Sequence, residues 1–255
     1  MRPRLLLVIS TVAIAFVAGC GTSTAGPKAS GGGSNGVQSK SAKQIVAAAV
    51  AATKRQSSFH FVETAAMTKS SVLIVGDVGS STGEQHITVH DGGQSGHITV
   101  LLAKGTAYFT GDTFGLEGFT GLTKALATGL AGKWISVPSS NASFSTIAAS
   151  LAVKTAAEQL VQLSGNLSRG KTSTQLGHPA IAVKAAEKTS SGSLSLTMYV
   201  DTKGAALPIR VQGTTQATGS AARSIDATFT NWGEAIHLSA PQGAEPISSV
   251  KSLAG

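Results

Sequence analysis

The 255 residues carry 20 lysines and arginines against 12 acids, yet charged residues make up only 13% of the chain, about half the usual share. A positive excess this dilute, with no basic face, excludes an extended nucleic-acid surface. The single cysteine, Cys20, excludes an internal disulfide.

Arg2 and Arg4 precede an uncharged apolar run from Leu5 to Ala18, and Val17-Ala18-Gly19-Cys20 follows. A basic start, a short apolar stretch and small residues before a cut make an export signal over residues 1–19. The run is too short for a spanning helix, which needs about 20 apolar residues. Its last four residues resemble the lipobox of bacterial lipoproteins. That resemblance implies a cut before Cys20, a diacylglycerol on its sulfur, and anchorage to the cell membrane on the extracytoplasmic side. Residues 20–40, rich in Gly, Ser and Thr, then read as a flexible tether.

One folded domain is expected over residues 41–240, with a loose tail at 241–255. Ser41-Ala42-Lys43-Gln44 is a capping box, and Ile45, Ala49 and Ala52 recur at helical spacing behind it. Lys40, Lys43, Lys54 and Arg55 form the nearest approach to a basic cluster, read as solvated surface. Strands follow. Phe59 and Phe61, then Ile87 and Val89, then Ile98, Val100 and Leu102, then Ala107 and Phe109 alternate with polar neighbours. Gly92-Gly93 and Lys104-Gly105 mark turns between them.

The pattern changes to helical from Asp112 to Leu163. Phe119, Leu122, Leu126 and Leu130 fall on one helical face, and Thr155-Ala156-Ala157-Glu158 reads as a second capping box. Tyr108, Phe109, Phe114 and Phe119 are interleaved with Gly111, Gly115, Gly118 and Gly121. Glycines weaken a helix, so this stretch fits either a movable flap over an apolar site or a core element. Strands resume at Ile181 and Val183. Leu194, Leu196, Met198 and Val200 follow, then Ile209 and Val211, Ile225 to Phe229, and Ile236 to Leu238. Helix, strands, helices, strands is an α+β order, with an antiparallel sheet packed on one side by helices.

Several motifs match catalytic patterns without their context. Gly165 to Thr172 spells a P-loop, but a helix precedes it and a turn at Gly177-His178-Pro179 follows too soon for the required helix. Gly79-Ser80-Ser81-Thr82-Gly83 spells a nucleophile elbow, but a strand follows where a helix is needed. Gly31 to Gly36 fits a dinucleotide fingerprint inside the tether. His86 and His90 lie about 13 Å apart on a strand at about 3.3 Å per residue, too far to share one ion. No metal, cofactor or catalytic set is expected.

Three stretches resemble one family when taken together. Met198-Tyr199-Val200-Asp201-Thr202-Lys203-Gly204 with Leu207 to Val211 is similar to a hairpin of mycobacterial lipoproteins of the LprG and LppX type. Phe229 to Ile236, closed by Pro241, resembles that family's last hairpin, and Gly177-His178-Pro179-Ala180 a third. The resemblance implies a strongly curved antiparallel sheet, a half-barrel wrapping helices as in the LolA and LolB carriers. It also implies a hydrophobic cavity for acylated lipids or glycolipids. Candidates to line it are Phe59, Phe61, Ile98, Val100, Leu102, Phe109, Phe114, Phe119, Leu122, Leu126, Leu196, Met198, Val211 and Phe229. A monomer carrying lipid, with an envelope transporter as a possible partner, is the first reading. A structural or sensor lipoprotein with a filled core, binding an envelope protein, is the alternative.

Overall fold

The computed structural model describes residues 33–250 except 162, 164 and 191. The signal segment, Cys20 and most of the tether lie outside the described residues. A 3-10 turn at Val37–Ser39 leads into α1 (Ala42–Thr53). Five strands follow: β1 (Ser58–Met67), β2 (Ser70–Gly79), β3 (Gly83–Asp91), β4 (Gln94–Ala103) and β5 (Thr106–Gly111). The middle holds α2 (Thr113–Thr120), α3 (Lys124–Leu130), β6 (Ile135–Pro138), α4 (Phe144–Ser150) and α5 (Val153–Val161). Then come β7 (Asn166–Gln175), β8 (His178–Thr189), β9 (Gly192–Asp201), β10 (Pro208–Ala217) and β11 (Arg223–Thr230). The short β12 (Glu245–Pro246) comes last.

These strands form one open sheet in the order β12-β6-β5-β4-β3-β2-β1-β11-β10-β9-β8-β7. Every pairing is antiparallel except β12 on β6. The α+β class with an antiparallel sheet is therefore as the sequence implies. Two sequential meanders, β1 to β6 and β7 to β11, join through the β1–β11 pair. Lys104 and Gly105 both adopt left-handed backbone, the geometry that a two-residue turn between twisted strands requires.

Helices cover one face. Ser41 caps α1: its hydroxyl accepts from the Gln44 amide, and the Gln44 side chain accepts from the Ser41 amide at 3.0 Å. The buried stripe Ile45, Val46 and Ala49 then packs on Ile181, Val183, Met198 and Val200 of β8 and β9. At the other end of the sheet α2 lies on β4, with Leu116 fully buried among Ile98, Val100 and Phe109. In the centre Val153 and Ala156 of α5 meet Phe59, Phe61 and Val78.

Several expectations need correction. The tether is packed before residue 40: the Asn35 amide donates to the Thr202 carbonyl at 2.9 Å, and Val37 is buried against α1 and β9. Val37 is apolar in a polar stretch, and burying it draws its neighbours onto the domain. Over residues 241–250 the tail is not loose either. Glu245 pairs with Ile135, while Ile247 and Val250 enter the core beside β6. No strand forms at Ile236 to Leu238. The chain turns at Asn231 to Gly233, where the Gly233 amide donates to the Ser58 carbonyl at 2.8 Å. The long helical face from Phe119 to Leu130 is two helices, broken at Gly121 in left-handed backbone. Leu126 therefore points to solvent while Leu122 and Leu130 are buried. Thr155 lies inside α5 rather than capping it.

Candidate functional site

Register sorts the strands' residues into two faces. On the helix side, β1 presents Phe59, Phe61, Glu63, Ala65 and Met67. Across β2 the matching residues are Val78, Gly76, Ile74 and Val72, and across β11 they are Phe229, Ala227 and Ile225. The row continues through Val211 and Gly213 of β10 and Met198 and Leu196 of β9. Thirteen of the fourteen candidate lining residues lie on this inner side of the protein. Ile98, Val100, Leu102, Phe109 and Leu122 are buried in the β4–β5 cluster, with Phe114 and Phe119 packed against it. Met198, Leu196 and Val211 belong to the α1 cluster, and Phe59, Phe61 and Phe229 to the central one. Leu126 is the exception.

In this structure the Gly-rich stretch packs on the sheet, with Leu116 buried and Phe114 and Phe119 half-buried against the β4–β5 cluster. Asp112 fixes it: one carboxylate oxygen accepts from the Gly115 amide at 2.7 Å and the other from the His97 amide at 2.8 Å. The Phe119 ring rests 6.3 Å from that of Phe109.

The inner apolar residues do not merge into one core. They form three clusters. Between the flanking two lie Ala65, Ala227 and Gly213, with Ile225 beside them. Ala65 and Ala227 are buried but belong to none of the three. Ile74 and Val72 flank these small residues on one side and Val211 and Leu196 on the other, and packing is close: a Cβ at Gly213 would stand 2.9 Å from Leu196 Cδ2. The aromatic group closes this region at one end of β1. Phe59 is 4.7 Å from Trp232, 5.8 Å from Phe229 and 6.1 Å from Phe61, centre to centre.

The alternation of β1 puts one carboxyl into this face. Glu63 pairs with Ile74 and Ala227 and stands between Phe61 and Ala65 along the strand. Burial raises its pKa above the ordinary 4.5, and the charge of Arg223 on the same face partly opposes the rise. The sequence reading passed over Glu63. The signal was present, since a lone acid occupies the inward parity of an otherwise apolar strand.

This raised value has a measurable consequence. The folded chain holds the Glu63 proton more tightly than the unfolded chain does. Its favourable contribution is therefore complete below the unfolded-state pKa and is lost as pH rises through the folded value. Glu63→Gln removes this dependence. Its melting temperature relative to wild type should rise from acid to neutral pH, and a difference constant with pH would show the carboxyl to be fully solvated.

Other motifs fall elsewhere. Gly165 to Thr172 runs into the exposed edge strand β7, with Lys171 at a bulge opposite β8. Ser80 and Ser81 lie in the β2–β3 loop. His86, His90 and His97 sit on the outer face, where each shares a hydrogen bond with Thr99, Ser95 and Thr88 respectively at 2.7–3.2 Å. An open cleft of about 510 Å³ lies beside Thr82, Lys104 and His237. Its lining mixes Ile236 and Leu238 with polar side chains, unlike an apolar lipid cavity.

An open antiparallel sheet of this order, with a helical layer on one face, defines the class of fold. Compared with solved structures, the chain has the fold of LprF from Mycobacterium bovis, with a TM-score of 0.51 at 16% identity over 79% of this chain and 97% of that one. The Mycobacterium tuberculosis lipoprotein LppX aligns with a TM-score of 0.49 at 13% identity over 78% and 98% of the two chains. An uncharacterized conserved protein from Thermus thermophilus aligns at 0.39 and 7% identity over 80% and 97%. The likeness to LprF meets, at the level of the fold, the resemblance read from the hairpins. No family model and no curated protein matches the sequence.

Proposed function

We propose that this chain is an envelope lipoprotein, held through a lipidated Cys20 on the extracytoplasmic side of the cell membrane, that binds an acylated lipid or glycolipid against the inner face of its sheet. The observation that carries the reading is the division of that face into clusters, with Ala65, Ala227 and Gly213 between them. Acyl chains need apolar walls more than polar contacts, and this face offers them. Curvature of the open sheet into a half-barrel around α1 and α5 would complete the enclosure. The protein acts by holding and releasing its ligand, without covalent chemistry and without a resident cofactor.

The purified domain lacking residues 1–20 should yield a stoichiometric lipid on solvent extraction and mass spectrometry. A lipid-free extract together with no uptake of a fluorescent fatty acid would sink the proposal in favour of a filled core docking a protein. Anchorage is tested separately. Cys20→Ser should abolish labelling by radioactive fatty acid and leave the folded domain soluble or as uncut precursor, because the chain holds no second thiol. Wild-type labelling of that variant would place the anchor elsewhere.

A further inference from the structure

The chain enters the domain at one end of the sheet. Ser34 pairs with Lys203, and the Asn35 amide donates to the Thr202 carbonyl at 2.9 Å. Lys203 lies in the loop between β9 and β10, where Lys203, Gly204 and Ala205 are exposed. The β7–β8 turn stands beside this loop. The Thr202 hydroxyl donates to the Pro179 carbonyl at 3.0 Å, and His178 Nδ1 lies 3.1 Å from Asp201 Oδ2. At the tip of that turn is Leu176, 54% exposed, more than any other large hydrophobic side chain among the described residues.

Leu176 also has left-handed backbone, with φ 49°, ahead of Gly177 at 83°. A two-residue turn with both positions left-handed favours Asn or Asp at the first, whose side chain can hydrogen-bond locally. The β4–β5 turn, of the same kind, carries the solvated Lys104 there. Leucine gains neither a local hydrogen bond nor hydration, so neither the turn nor packing accounts for it. Backbone outliers of this sort cluster at functional positions. Exposed lysines accompany it. Lys203 is one, and Lys40 follows Val37, which is buried with Ile181 and Val200 near this end. Asp201, the acid of the loop, faces His178 and accepts from the Lys203 amide at 2.8 Å.

We propose that this end of the domain docks on an anionic bilayer surface, with Leu176 entering the headgroup layer and Lys40 and Lys203 facing lipid phosphates. This rests on the reading of Cys20 as a lipidated anchor and adds which end of the domain meets the membrane. Thirteen residues separate Cys20 from Ser34, a span of at most about 50 Å at about 3.3–3.6 Å per residue. The ten residues of β10 extend about 33 Å at about 3.3 Å per residue. The opposite end, at the β10–β11 turn, would reach the bilayer only if the tether ran back along the whole sheet. One leucine and two lysines hold a bilayer weakly from solution. On a tether the encounter is intramolecular, and the raised effective concentration lets weak contacts suffice.

The test uses the single cysteine. With the Cys20 sulfur carrying its lipid, an introduced cysteine is the one free thiol. Ala205→Cys in the β9–β10 loop and Ser220→Cys at the far turn each take a thiol-reactive fluorophore. The mature protein is then held in phosphatidylglycerol vesicles containing headgroup spin-labelled lipid, which quenches at short range. The label at 205 should lose most of its emission and the label at 220 should keep it. Adding Leu176→Ser, or Lys40→Glu with Lys203→Glu, should restore most of the emission at 205, as should replacing phosphatidylglycerol by phosphatidylcholine. Equal quenching at the two positions overturns the docking, and quenching at 205 that survives all three changes overturns the roles of these residues. Wild type, with no added cysteine, should take no label. Labelling of wild type means that the Cys20 sulfur is free, and overturns the anchor reading and this docking with it.

Discussion

Gly115→Ala should destabilise the protein by about 3 kcal/mol, at the upper end for overpacking, lowering its melting temperature by roughly 6–12 °C for a domain of this size. The cause is the close approach of α2 to β4. A Cβ at Gly115 would stand 2.5 Å from the His97 carbonyl oxygen, and one at Gly96 only 2.5 Å from the Gly115 amide nitrogen. Neither obstacle is a flexible side chain, so the helix must lift off the strand. Lifting it exposes Leu116 and breaks the paired hydrogen bonds of Asp112. Gly118 is the internal control. It sits one turn on in the same helix, exposed, and a Cβ added there would meet nothing within 4 Å. Gly118→Ala should therefore stabilise by up to about 1 kcal/mol through helix propensity alone. Opposite signs for one substitution at two positions of one helix separate close packing from propensity, and equal signs would contradict the docking of α2 on β4.

The same helix shows why some of the fold was legible and some was not. The spacing of Phe114 and Phe119 pointed to a helix, but interleaved glycines read equally as weakness. Only the proximity of Gly96, nineteen residues earlier, reveals that Gly115 is glycine for contact. Strands with one buried face, such as β4 and β9, announced themselves by alternation. β2 did not, because Val72-Leu73-Ile74-Val75 is apolar on both faces. β7 did not for the opposite reason: nearly all of it is exposed, so no hydrophobic period marks it. β6 is four residues long, below the length at which a period can be seen. The tail was misread because Ile247 and Val250 are its only residues in the core and the Glu245–Pro246 strand is two residues long, and neither makes a pattern. At the site, the lining residues were legible as apolar strand positions. Their separation into clusters was not, since that depends on Ala65, Ala227 and Gly213 meeting from three strands.

The aromatic group that closes the site supplies the second large effect. Phe59→Ala should cost about 4 kcal/mol, within the range for buried Phe truncation, and lower the melting temperature by roughly 8–16 °C. Phe59 is 3% exposed and touches Phe61, Phe229 and Trp232. Removing it deletes its own burial and also three ring contacts, each worth about 0.5–1.5 kcal/mol beyond area. Little can collapse into the space. Val78 is fixed in the neighbouring strand and Val153 on α5, while Trp232 is set by the turn whose Gly233 amide bonds Ser58. Phe229→Ala should cost less, because Phe229 is only partly buried. Thermal melting of the two variants side by side measures the difference. A fall of under about 2 °C for Phe59→Ala would mean that the rings are not packed as a unit.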